Sequence, residues 1–165
     1  MRNLLVYYSH YGNTAFVASE FQVALEKKGQ TDMFELEYKG SKPGLLPRTF
    51  YRFFPSQVPL APVPFDCGQY DLICLGIPVW GGRPSAPVSK YLSLCHNIDN
   101  KRIICFLVYS IEASARTCFN YVKRSLEKNG RPRIILEAFV PWQKVQDKEF
   151  LEKAISEVVE KACNA

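Results

Sequence analysis

The sequence predicts a three-layer α/β domain built on a doubly wound, five-stranded parallel sheet. Three observations carry that expectation. Short apolar runs of strand length recur along the chain, and their hydrophobicity is continuous rather than alternating, as in strands covered on both faces. Amphipathic helical patterns lie between most of them, which implies crossover connections. The length, 165 residues, suits one domain with a sizeable core.

The first run is Asn3-Leu4-Leu5-Val6-Tyr7-Tyr8. A helix over Thr14 to Lys28 follows, and Gly29 stands where a left-handed cap is expected. Asp32 to Glu37 mixes Met33, Phe34 and Leu36 with acids and reads as an edge strand. Leu72-Ile73-Cys74-Leu75-Gly76 is the next strand, and Arg102 to Tyr109 the one after it. A helix over Ser114 to Lys128 presents Phe119, Val122 and Leu126 on one face and stops at Asn129-Gly130. Arg133 to Val140 supplies the fifth strand. Asp147 to Ala162 then repeats Phe150, Leu151, Ala154, Ile155, Val158 and Val159 at helical spacing, with glutamates opposite.

Residues 38–65 break this rhythm. They hold six of the eleven prolines and no acid, so a long regular helix is excluded there, although Arg48 to Phe54 is compatible with a short one. Lys39, Lys42, Arg48 and Arg52 account for most of the net charge of +5. Phe50, Tyr51, Phe53, Phe54 and Phe65 make the segment aromatic as well. Two readings stand: an insertion whose aromatics pack on the sheet, or a basic, aromatic cover beside the ligand crevice that could dock an acidic partner.

Composition excludes several classes. At 47% hydrophobic residues the chain is too apolar to remain disordered. No run approaches the ~20 apolar residues of a membrane span. Ser9-His10-Tyr11-Gly12-Asn13 interrupts the first apolar run too early for a secretory signal. The six cysteines contain no Cys-x-x-Cys pair and only His96 adjoins one of them, so no metal site is expected. Cys74 and Cys105 sit inside apolar runs as buried thiols do, which points to a reducing compartment, the cytoplasm. The basic residues are scattered among acids rather than gathered in a stripe, so nucleic acid is not an expected partner.

Ligands of open α/β sheets bind at the carboxyl ends of strands, where the winding direction reverses. The loop after the first strand, Ser9-His10-Tyr11-Gly12-Asn13-Thr14, runs straight into a helix. Hydroxyls, a glycine and free backbone N–H groups at a helix start suit a phosphate. The same residues also suit a plain turn capped by Asn13 or Thr14. The loop lacks the lysine of a nucleoside triphosphate loop and the Gly-x-Gly-x-x-Gly of a dinucleotide site. The loop after Gly76 reads Ile77-Pro78-Val79-Trp80-Gly81-Gly82-Arg83-Pro84. Trp80 is either a rim residue covering the sheet end or a stacking wall for a planar ligand. The flanking Gly81 and Gly82 allow close backbone approach. An anion cradle beside a flat wall fits a ligand with a phosphate tail and a planar ring, flavin mononucleotide (FMN).

On these residues the chain resembles the flavodoxin-like proteins, most closely those carrying Gly-x-Pro-Val-Trp-x-Gly-Arg-Pro, here Gly76 to Pro84. The hydroxyl residue leading into Gly12-Asn13-Thr14 is similar to the flavodoxin phosphate loop. The resemblance implies strand order 2-1-3-4-5 and non-covalent FMN at the carboxyl edge. It implies that Ser9, Tyr11, Gly12, Asn13 and Thr14, with His10 in the same loop, surround the phosphate. Pro78, Val79, Trp80, Gly81 and Gly82 would border the ring system. The loop after the fourth strand, Tyr109-Ser110-Ile111-Glu112-Ala113-Ser114, departs from the family in having no glycine; Tyr109 and Ser110 are its candidates for the other ring face.

The expected function is electron transfer through FMN, since side chains alone supply no redox chemistry here. An alternative is an NAD(P)H-dependent quinone or flavin reductase, in which Arg83, Arg116 or the basic 38–65 segment attracts anionic groups. A redox protein partner belongs to the first reading, NAD(P)H or quinone to the second. From another class comes a flavodoxin-like interaction module that binds no flavin. A receiver domain is excluded, because Tyr8-Ser9-His10 offers no paired acids after the first strand.

Overall fold

The computed structural model describes residues 1–40 and 44–165, with the side chains of 45–48 left aside. Five parallel strands form the sheet in the order β2-β1-β3-β5-β6, where β1 is Arg2–Tyr7, β2 Gln30–Glu35, β3 Leu72–Trp80, β5 Arg102–Tyr109 and β6 Ile134–Pro141. Counted among the parallel strands alone, that is 2-1-3-4-5. A two-residue strand β4 (Arg83–Pro84) folds back antiparallel on the end of β3.

Alternate residues of each central strand feed two different cores, which is why the runs are apolar throughout. Leu4, Val6, Ile73, Leu75, Ile77, Ile103, Cys105 and Leu107 enter one core, closed by helices α3 (Ala86–Leu94) and α4 (Glu112–Asn129). Leu5, Leu72, Cys74, Ile104, Phe106 and Val108 enter the other, closed by α1 (Asn13–Glu26) and α5 (Lys148–Asn164). In the second core Phe21 of α1 stacks on Phe106 at 4.6 Å between ring centres. Gly76 makes room for that ring: a Cβ there would stand 2.3 Å from Phe106 Cζ and 2.5 Å from the Tyr7 Cβ.

Three local expectations are corrected. Gly29 is not left-handed; it is small because the Met1 backbone passes where its Cβ would be, with Met1 O at 2.0 Å from that position. The helix α3, absent from the sequence-derived pattern, occupies nine residues with Pro87 in its first turn. Proline there reads as a breaker, yet the first turn needs no N–H from it. The strand after Gly29 begins at Gln30, two residues earlier than its acidic pattern indicates.

Residues 44–65 carry a helix α2 (Leu45–Phe53) and a 3-10 turn at Pro55–Gln57. The chain then bridges antiparallel to the segment just after β2: the Lys39 N–H donates to Pro59 O at 2.6 Å and the Ala61 N–H to Glu37 O at 2.8 Å. Val58 is buried and Tyr51, Val63 and Phe65 pack against the first core, whereas Phe50, Phe53 and Phe54 face outward. The aromatics of this segment therefore divide between the sheet side and the outer surface. Lys42 lies outside the described residues, and the side chain of Arg48 with it.

All six cysteines are free, five of them buried. Among the described residues no cluster of potential metal ligands exists and no helix is long and apolar enough to cross a membrane.

Candidate functional site

The carboxyl ends of β1, β3, β5 and β6 converge on one cleft of about 330 Å³. That is near the lower end of the range for small-molecule sites, roughly 300–1,000 Å³. Ser9, His10, Tyr11, Asn13 and Thr14 line it from the loop after β1, and Pro78, Val79 and Trp80 from the end of β3. Val108, Tyr109 and Ser110 close it from β5. Gly12, Gly81 and Gly82 shape the lining without forming part of it.

The β1 loop is built to leave helix α1 open at its start. Gly12 is the N-cap residue with φ 88°, a conformation glycine adopts without strain, and no side chain caps the helix. The first turn holds no acid, and the first helical bond is Phe16 N–H to Gly12 O at 2.9 Å. The N–H groups before it are the unsatisfied donors every helix start presents, at the positive end of the helix dipole. Ser9 shapes this loop, its buried Oγ accepting the Gly12 N–H at 3.1 Å. Neither Asn13 nor Thr14 acts as the side-chain cap; they are the first two helical residues. The arrangement can hold an anion.

The β3 loop has a different logic. Trp80 pairs with Arg83 across a two-residue hairpin whose central residues, Gly81 and Gly82, both have positive φ (56° and 75°). Positive φ at both positions is the requirement of the tight turn that matches strand twist, so the glycine pair is a structural necessity. The half-buried indole of Trp80 is held edge-on by two rings. Tyr8 lies at 6.1 Å and 82°, His10 at 5.7 Å and 89°. Rings fixed at such angles gain from the quadrupole preference for T-shaped contacts. His10 is therefore a support for Trp80 as well as a loop residue.

Tyr109 lies edge-on to Phe139 at 6.2 Å. Burial raises its phenol pKa above the usual value, the nearby Glu112 adds to the rise, and Arg116 opposes it. The hydroxyl stays protonated at neutral pH.

Val108 and Trp142 line the cleft although the sequence argument named neither, and Trp142 is the more exposed of the two. It follows β6 in a 3-10 turn (Trp142–Lys144), is 51% exposed, and faces the same cleft. Its signal was available: an indole directly after the last strand, at the same carboxyl edge as Trp80. The arginines considered for attracting anions separate clearly. Arg83 sits over the Tyr121 ring at 5.4 Å, and Arg116 is paired with Glu112 at 2.6 Å and lies over Phe139 at 5.6 Å.

The parallel order with its reversal at β1 and β3, and a cleft at that reversal, define a flavodoxin-like fold. No protein-family model and no curated protein matches the chain. Solved structures do match it over nearly its whole length. An NADH:FMN oxidoreductase in its apo form shares 8% identity and covers 98% of this chain and 88% of its own, with TM-score 0.68. A flavodoxin from the domain Archaea shares 14% identity over 98% of this chain and 99% of its own, TM-score 0.57. An azoreductase from Bacillus anthracis str. Sterne shares 12% over 99% and 98%, TM-score 0.57. At these identities the likeness is one of fold.

Proposed function

We propose that this chain binds flavin mononucleotide non-covalently and works in electron transfer. The observation that carries the reading is the meeting, in one cleft, of an uncapped helix start and a fixed indole wall. The residues fit the group: among the described residues no carboxylate lines the cleft to repel a phosphate, and two indoles and two phenols offer flat apolar surface. Backbone N–H groups of the Ser9 to Thr14 loop, with the Thr14 hydroxyl, would hold the phosphate. Pro78, Val79 and Trp80, positioned by the Gly81-Gly82 turn, would border the ring system from one side, and Tyr109, Ser110 and Trp142 from the other. When bound, FMN would supply the redox chemistry that the side chains lack. The free thiols support a reducing compartment such as the cytoplasm.

The oxidoreductase among the structural neighbours, with the highest TM-score of the three, favours a second reading in which NAD(P)H is the electron donor and a quinone or flavin the acceptor. The flavin-free interaction module has no comparable support.

Purified protein should be yellow and keep its flavin absorbance through gel filtration. Colourless protein that fails to bind added FMN would remove the proposal. Trp80→Ala should weaken FMN binding by about 10-fold, the order expected from losing one stacked aromatic. Phe150→Ala, which thins the α5 packing, should lower stability and leave affinity unchanged. Oxidation of NAD(P)H with and without a quinone distinguishes reductase from carrier.

A further inference from the structure

Behind Trp80 lies a second cleft, of about 270 Å³. It shares His10, Tyr11 and Trp80 with the first and is closed by Tyr38, Arg52 and the start of α3 at Ala86. We propose that this cleft is a separate binding site for a planar aromatic anion, a one- or two-ring compound bearing a carboxylate, sulfonate or phosphate.

The charge argument comes first. Among the described residues no Asp or Glu lines the cleft, and the cation that lines it is Arg52, in the last turn of α2. Among the described residues Arg52 takes part in no ion pair and lies over no ring, whereas Arg83 and Arg116 are both engaged with their own neighbours. A guanidinium with its fork of donors unspent is suited to a carboxylate, sulfonate or phosphate, to which it binds in a bidentate manner.

Placement is the second argument. The Arg52 Nη2 lies 2.8 Å from where a Cβ on Gly81 would stand. The hairpin glycine thus does two things: it meets the turn's φ requirement and lets the guanidinium reach the base of the Trp80 loop. A side chain at position 81 would displace it. The cation thus lies at the rim of the indole, close against the turn glycine.

Shape is the third. Trp80 and Tyr11 supply ring surface, Tyr11 being 82% exposed, and Tyr38 closes the floor as a buried ring. Flat walls with one cation at the edge select a flat ligand with one anionic substituent. The volume is too small for a whole dinucleotide and adequate for one or two fused rings. Tyr38, Thr49, Arg52, Pro84 and Ala86 belong to this cleft alone, whereas His10, Tyr11 and Trp80 stand between it and the first.

Naphthalene-2-sulfonate is the probe, with the neutral isostere naphthalene-2-sulfonamide as its partner. Isothermal titration of both into the full chain, with and without FMN, should show the sulfonate binding at least about 10-fold more tightly than the sulfonamide. Arg52→Gln should abolish that difference, Arg52→Lys should restore part of it, and Arg83→Gln should leave it unchanged. FMN should not displace the sulfonate competitively. Equal affinities in the unmodified protein, no measurable binding of the sulfonate, an unchanged preference in Arg52→Gln, or full competition by FMN would each overturn the proposal. Absence of FMN binding in the same titrations would instead remove the flavin reading and leave this site standing.

Discussion

The two faces of the sheet are covered in different ways. One is closed by α1 and α5, two long helices whose buried residues recur at helical spacing and meet a stacked pair, Phe21 on Phe106. The other is closed by α4, the short α3, and the proline-rich return from β2, with buried tyrosines and four buried cysteines among the aliphatic residues. The same strands serve both. The regular face is built for stability, while the irregular one leaves space beside Trp80 and puts Arg52 there.

The sharpest test of that contrast is Phe106→Ala, which empties a fully buried ring site in the regular core. Chemical denaturation should show a loss of about 3–5 kcal/mol. Gly76→Ala forces a methyl into the space between Phe106 and Tyr7 and should cost about 1–3 kcal/mol, with the shift visible in the aromatic circular dichroism. On the irregular side, Val58→Ala removes two buried methyl groups and should cost about 1.5 kcal/mol by the ~0.8 kcal/mol per carbon rule. A Val58 loss equal to that at Phe106 would break the comparison.

The start of α5 adds a pH test. The Asp147 side chain accepts the Phe150 N–H at 3.1 Å and pairs with Lys144 at 2.7 Å. The hydrogen bond from Lys144 and then the one from the Phe150 N–H hold its carboxyl below the usual value. A depressed carboxylate contributes stability above its unfolded pKa and loses it as pH falls through the folded one. Asp147→Asn should therefore lie below the parent protein in denaturation midpoint at neutral pH and converge with it below about pH 4. The smallest effect belongs to Phe53→Ala. That ring is 71% exposed, and its loss should change stability by no more than about 0.5 kcal/mol.

The regular face was also the legible one. Continuous apolar runs and the 3–4-residue repeat of α5 are local signals, so strand order apart, the layers could be read directly. The helix α3 could not, because Pro87 carries opposite meanings in a first turn and in a helix interior. Gly29 and Gly76 show the same limit: each is required by a neighbour distant in sequence, Met1 in one case and Phe106 in the other. Within the site, the β1 and β3 loops stood out because Gly12 and the Trp80 glycines are local devices. Trp142 was visible as a residue but not as a neighbour, since the β6 edge joins the cleft only through the fold. Choosing Arg52 over Arg83 and Arg116 needed the partners of each, which are set by tertiary contacts.

The cysteines turn the two-sided core into an internal gauge. Burial raises the thiol pKa of Cys95 to about 11 and of Cys118 to about 12, and pushes Cys67, Cys74 and Cys105 upward as well. Thiols held protonated and out of reach do not meet an alkylating reagent until the chain opens. Cys163, partly exposed near the end of α5, is the natural point of attachment for a single maleimide dye. The slower labelling of the other five would time the parting of the layers on either side of the sheet, Cys74 reporting for one face and the remaining four for the other.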